Sequence, residues 1–214
     1  MQTWEYAISD DHLQSASDLL AEHGFPYVAP NPLLVGTFGD FEDKGRHHRS
    51  VKDNPEDRIT LQLLPLSITC ISLDDLQCAP SNKHPAPTIY RLPLPQHCLS
   101  LVQCIASYPS GSNSRMKPVF ELSTLVAFAI FEYQYYFKDW DQPEESEEEY
   151  REKVQIALKK VRSWTLPEST DYWRELLETL VDGGQPRDIP YNSKVEEQHW
   201  GSSHWPISRR RTSH

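Results

Sequence analysis

Residues Trp4–Val28, WEYAISDDHLQSASDLLAEHGFPYV, decide how the chain is read: strand, helix, strand, with almost no slack between them. Trp4, Tyr6 and Ile8 alternate with Glu5 and Ala7, the period-2 pattern of a strand. Ser9 and Asp10 are both favourable N-caps, and Asp10 and Asp11 put negative charge where a helix dipole is positive. Leu13, Ala16, Leu19 and Leu20 then recur at helical spacing as one apolar stripe. Gly24 suits the left-handed position that ends such a helix, and Phe25-Pro26 prevents continuation. A helix held this tightly between two extended segments packs on the sheet they belong to.

Outward from that unit, Tyr27–Val35 is apolar and predicts one more strand, ending at Leu33-Leu34-Val35. Gly36–Pro55 is polar, punctuated by Gly39, Gly45 and an Asn54-Pro55 step, and predicts a loop. Arg58–Leu64 restores alternation, with Ile59, Leu61 and Leu63 on one face, and Pro65 stops that strand. Ser67–Leu73 suits a further strand, or a strand leading into a helical turn at Asp74-Asp75-Leu76. The proline-rich stretch 77–97 predicts an irregular connection, with TIYRL (88–92) its one extended candidate. Helices are predicted over 96–108, 117–138, 147–164 and 171–181, the last stopped by Gly183-Gly184. The acidic run Asp139–Glu149 reads as a solvated linker that becomes a helix N-terminus. The expected fold class is therefore α+β, with residues 1–181 as one domain, sheet-rich over 4–92 and helical over 96–181. Helix 10–23 packs on one face of a sheet of about three to five strands. Residues 182–214, where periodicity fades, read as a disordered tail with a basic tip at Arg209–Arg211.

A formal charge of −10 disfavours bare nucleic acid and anionic membrane, where attraction to phosphate is the main driving term. Cys70, Cys78, Cys98 and Cys104 form no CxxC pair and sit in apolar or strand-like settings, so buried free thiols are expected. The opening MQTWEYAISDD has neither the basic nor the apolar region of a secretory signal. Phe120–Phe137, the most apolar run, is interrupted by Glu121, Glu132 and Gln134 and predicts a core helix rather than a membrane span. An intracellular, cytoplasmic setting is the expectation.

The order of elements then carries a resemblance. A strand (WEYAI), a capped helix closing on a Gly-Phe step, a later strand (RITLQLLP), and a helix preceded by Ser114-Arg115-Met116-Lys117 and carrying Glu121-Leu122 resemble the second part of the nucleotidyltransferase core. The pieces WEYAISDDHLQSA (4–16), His23-Gly24-Phe25-Pro26, GDFEDKGRHHR (39–49), LLPLSI (63–68) and PSGSNSRMKPVFELSTLVAF (109–128) are similar to a family of small fungal proteins with the same skeleton. The resemblance implies a nucleotidyltransferase-like fold. In active members, paired carboxylates hold divalent metal against a triphosphate and activate the attacking hydroxyl. Here the first strand carries Glu5 alone where that superfamily has an Asp-x-Asp pair, and Ile59–Leu64 carries no acid. The Gly-Ser turn and helix that precede the first strand of that core have no counterpart in the three residues before Trp4. So reduced, the resemblance implies a pseudo-enzyme without a cofactor, acting by binding a protein or small ligand. Two alternatives stay open. One is an active but atypical transferase, with Mg²⁺ held by Glu5 and by Asp40, Glu42 or Asp43. The other is an interaction domain with an aromatic docking helix.

Polar candidates outside that scheme are few. Arg46-His47-His48-Arg49 would place two histidines on a loop, where they could ligate a metal, serve an acid–base step, or meet an anionic ligand beside the arginines. The same cluster could as simply be solvated and paired with Asp40, Glu42 and Asp43. Arg115 and Lys117 could face a cleft as ligand-binding cations, or pair with acids such as Glu121 and cap carbonyls. Gly36-Thr37-Phe38-Gly39-Asp40 lacks the Lys-Ser/Thr of a phosphate loop and reads as a turn. Phe131, Tyr133, Tyr135, Tyr136, Phe137 and Trp140 exceed one helix face, so they pack against the next helix or form a partner surface. Cys98 and His97 are neighbours in sequence only, since adjacent residues point apart on a helix.

Overall fold

A computed structural model describes residues 2–51, 58–78, 90–133 and 146–194. The chain opens with β1 (Gln2–Ile8), a 3₁₀ turn at Asp10–His12, and α1 (Leu13–Glu22). Then come β2 (Tyr27–Val28), α2 (Pro32–Phe38), α3 (Asp40–Asp43), β3 (Arg46–Arg49) and β4 (Ile59–Pro65). The four strands form one mixed sheet in the order β1-β4-β3-β2, with β1 and β4 parallel and the other pairs antiparallel. A two-residue ribbon, β5 (Gln77–Cys78) with β6 (Tyr90–Arg91), stands apart. The helical half holds α4 (Leu94–Ser107), α5 (Met116–Leu125), α6 (Glu147–Arg162) and α7 (Asp171–Val181). The fold class is thus α+β.

The opening unit forms as its pattern predicts, including a left-handed Gly24 with φ of 86°. Its acids act differently. Ser9 makes no side-chain cap. Asp10 instead accepts from the Ser67 amide at 3.0 Å and the Ser67 hydroxyl at 2.6 Å, fastening the end of β1 to the chain just past β4. A parallel pair has no hairpin to fix its register, so this fastening and the shared apolar face do so.

Several expectations are corrected. Leu33-Leu34-Val35 lies in a helix, not a strand: Pro32 takes the first helical position and the Asn31 side chain accepts from the Leu33 amide at 3.0 Å. The expected loop 36–55 contains α3 and the strand β3, and β3 exists because β4 and β2 flank it on both sides. Residues 66–75 form two 3₁₀ turns, Leu66–Ile68 and Leu73–Asp75, rather than a strand. The helix expected over 117–138 breaks early: α5 passes into a wide turn, Val126–Ile130, where the Phe131 amide bonds the Val126 carbonyl at 2.9 Å, and Glu132 takes a φ of 58°. Residues 182–192, expected in the tail, are packed: Ile189 is buried and the Asn192 amide bonds the Ala106 carbonyl at 2.8 Å. Of the cysteines, none of which is in a disulfide, Cys70, Cys98 and Cys104 are buried, whereas Cys78 is exposed. The aromatic residues 135–140 lie outside the described residues, as do Thr88 and Ile89 of TIYRL, whose Tyr90-Arg91 forms β6.

α4 organises the interior. Nearly all of Cys98–Ser107 is buried, the signature of a helix enclosed on every side. One side meets Phe41, Leu64, Ile68 and Cys70, through Cys104 and nearby Tyr108. The other meets Leu122, Val154, Leu158, Val161, Leu177 and Val181 from α5, α6 and α7. α6 begins with a capping box between Ser146 and Glu149. Arg115 anchors the far end. Its guanidinium donates to the carbonyls of Ile105 at 2.9 Å and Tyr108 at 3.0 Å at the C-terminus of α4, and to those of Arg187 and Ile189. Orphan carbonyls at a buried helix end need such donors.

Candidate functional site

The sheet register decides where the polar candidates sit. Glu5 pairs with Gln62 and Gln62 with His47, and register-paired side chains share a face. A polar row, Glu5–Gln62–His47, therefore crosses the face that looks toward α3, α4 and α5. His48 points the other way, toward α1. It is fully buried, with Nδ1 donating to the Phe25 carbonyl at 2.8 Å and Nε2 opposite the Ser17 hydroxyl at 3.0 Å. With Nδ1 carrying the hydrogen toward the Phe25 carbonyl, Nε2 is the acceptor for the Ser17 hydroxyl. This Ser–His pair joins α1 to β3. With the His48 Nδ1 held by a backbone carbonyl and the ring fully buried, the pair is a structural tie.

The centre of the polar row serves α3. Gln62 Nε2 donates to the Phe41 carbonyl at 2.8 Å, and His47 Nε2 donates to the Glu42 carbonyl at 3.0 Å, with the Glu42 carboxylate 3.4 Å away. In this one-turn helix the Asp40 carbonyl takes the Lys44 amide at 2.9 Å, and these two side chains serve the carbonyls of Phe41 and Glu42 that follow it. Gly45 permits the approach, since a Cβ there would lie 2.7 Å from the Phe41 carbonyl. Asp40 pairs with Lys44 at 2.6 Å, and Asp43 is exposed. The Nε atoms of Arg46 and Arg49 are buried without a hydrogen-bond partner. Arg115 is spent on backbone carbonyls, away from any cleft.

The end of the row at Glu5 is different. Lys117 reaches from the first turn of α5 and places Nζ 2.5 Å from Glu5 Oε1 and 3.3 Å from Glu121 Oε1. The Lys117 side chain is only 12 % exposed, while the two carboxylates are about one-third exposed, at 34 % and 33 %. Burial alone would lower the Lys117 pKa; Glu121 and Glu5 outweigh it and raise the value. Burial raises the Glu121 carboxyl above the ordinary range, Lys117 pulls it back, and Glu5 adds to the rise. This triad forms one wall of a cavity of about 240 Å³. The remaining walls are apolar, Ala7, Phe41, Leu64, Ile71, Leu101 and Cys104, with Thr69, His97 and Ser100 as further polar groups. Burial lowers the His97 pKa, so its imidazole is neutral at physiological pH.

The structure thus brings together Glu5 and Lys117 from the sequence candidates and leaves Asp40, Glu42, Asp43, Arg46, His48, Arg49 and Arg115 elsewhere. Among the described residues, no group of three or more His, Cys, Asp or Glu side chains is placed to hold a metal ion. Sequence reasoning named Glu121 within the resemblance and as a partner for its neighbours, set His97 aside as a mere neighbour of Cys98, and gave Leu101 and Cys104 no site role. The spacing 97, 101, 104 is one stripe of α4, and 117, 121 is one stripe of α5, but nothing local shows that the two stripes face each other. No family model matches the chain, and no curated protein or solved structure is significantly similar to it. No helix among the described residues is long and apolar enough to cross a membrane.

Proposed function

We propose that the protein is a non-catalytic binding protein whose ligand is a small molecule seated in the cavity between β1, β4, α4 and α5. One observation carries the reading: an apolar pocket with one charged wall, the arrangement by which proteins hold and orient small ligands. At about 240 Å³ the cavity lies just below the usual range of roughly 300–1,000 Å³ for drug-sized ligands, so the occupant is small. The reading extends to origin, as a reduced nucleotidyltransferase-like core. Its support is the strand–helix–strand opening; β4 lies beside β1 but parallel to it, where that core has an antiparallel strand.

The transferase alternative asks Glu5 to hold a divalent ion together with Asp40, Glu42 or Asp43. Coordination by a carboxylate needs about 2.0–2.6 Å to the ion. The Lys117 ammonium already occupies Glu5 Oε1 at 2.5 Å, and among the described residues no set of three ligating side chains converges there to complete a metal site. An interaction-domain reading draws support from the exposed Met116, Phe120 and Phe128 on the outer face of α5 and the turn after it.

A thermal-shift titration decides among these readings. 2-Phenylethanol serves as a cavity-sized neutral probe, alongside ATP, CTP, GTP and UTP with and without Mg²⁺ or Mn²⁺. A ligand that binds only the folded state adds about 2.7 kcal/mol at 100 times its dissociation constant. Binding of the probe, lost in Ala7→Phe, is the expected result; Ala7 is exposed and lines the cavity, so a larger side chain fills the space without entering the core. A metal-dependent nucleotide shift would replace this reading with the transferase.

A further inference from the structure

We infer that the cavity's ligand is a small primary amine with an apolar body, its ammonium seated against Glu5 and Glu121. This rests on the preceding reading that the cavity holds a small molecule, and it assigns the chemical class. Two carboxylates share the single Lys117 ammonium at this wall, so the wall carries an unbalanced negative charge. Lys117 engages Oε1 of each acid. Both carboxylates are about one-third exposed and line the cavity, so both stay accessible to a ligand. His97, the other basic side chain lining the cavity, supplies no compensating cation, because burial favours its neutral form. Cys104 is a buried thiol whose pKa is raised by the neighbouring Cys70 and by burial, so it adds no charge either.

A ligand ammonium between the two acids would complete the charge balance and form charge-assisted hydrogen bonds to the accessible carboxylates. Phe41, Leu64, Ile71 and Leu101 then take its apolar body. A carboxylate or phosphate of similar shape meets the same acids as repulsion. The neutral isostere gains the apolar contacts alone. Each charge-assisted bond is worth more than a neutral one, so the amine is expected to bind at least about tenfold more tightly than the alcohol.

The test is isothermal titration of the full chain with phenethylamine, 2-phenylethanol and phenylacetate at neutral pH, repeated on Glu121→Gln and Ala7→Phe. Glu121→Gln keeps the Lys117–Glu5 pair and removes the surplus charge. The expected order is amine first, alcohol second, acid undetectable, with Glu121→Gln weakening the amine about tenfold and leaving the alcohol unchanged. Equal binding of amine and alcohol, a preference for phenylacetate, or an amine affinity untouched by Glu121→Gln each overturns the class and leaves the cavity reading standing. Failure of all three probes overturns both. Urea unfolding of each variant shows whether a loss of binding reflects a loss of fold, and Ala7→Phe, which keeps every charge, must abolish binding of amine and alcohol alike.

Discussion

Replacing Lys117 with Met tests the electrostatics of the cavity wall directly. Met keeps much of the apolar stem and removes the ammonium that lies 2.5 Å from Glu5 and 3.3 Å from Glu121. Breaking a fully buried pair costs about 3–5 kcal/mol, whereas an exposed pair is worth about 0–1 kcal/mol. Lys117 is nearly buried but its partners are one-third exposed, so solvent screening discounts the upper figure. About 1.5–3 kcal/mol is expected at pH 7.5. The sign with pH follows from the two shifts. The raised Lys117 pKa contributes stability that is present below the ordinary lysine range and lost only in alkali. The raised Glu121 pKa favours folding below the ordinary glutamate range and loses that contribution as pH climbs through it. Without the ammonium, the two acids confront each other when ionised and relax when protonated. The destabilisation of Lys117→Met should therefore shrink to below about 1 kcal/mol near pH 4.5, where the raised Glu121 carboxyl takes up its proton. Urea unfolding followed by circular dichroism at pH 7.5 and 4.5, with unchanged slope, measures both values. A loss equal at the two pH values, or under about 0.5 kcal/mol at pH 7.5, would refute the reasoning.

Other perturbations probe the scaffold. His48→Ala removes a fully buried ring and strands the Phe25 carbonyl and Ser17 hydroxyl; it should cost about 2–4 kcal/mol by chemical denaturation, against about 1 kcal/mol for Ser17→Ala. Arg115→Lys retains the charge but cannot serve four carbonyls with a point ammonium. A loss of about 2–4 kcal/mol is expected, with faster amide exchange at Ile189 and Asn192 as the local sign. Gly39 has φ of 55°, and a Cβ there would lie 2.3 Å from Ser114 Oγ, the atom that caps the Asp40 amide. Gly39→Ala should therefore lower stability by at least about 2 kcal/mol, and an unchanged melting temperature would show that the α2–α3 corner is not held this way.

Local chemistry alone determined the elements whose signals lie within one turn or one pleat. The opening strand–helix–strand unit, the strand at 59–65 and the helix at 171–181 are legible because alternation, helical stripes, prolines and Gly24 act over a few residues. The α+β class follows from their order. Lys117 and Glu121 are legible as a pair for the same reason, being one turn apart on α5. What tertiary structure decided has no local signal. RHHR has no apolar alternation and becomes β3 only because two other strands pair with it. The adjacent histidines look equivalent in sequence, and the pleat sends His47 to the carbonyls of α3 and His48 into the core against Ser17. Arg115 and Lys117 look equally poised, and only the packing of residues 182–192 against α4 turns Arg115 into a buried carbonyl clamp. The cavity belongs to this second kind: Glu5, His97 and Lys117 converge because β1 is parallel to β4 beneath α4 and α5, a juxtaposition spanning more than a hundred residues that no spacing rule records.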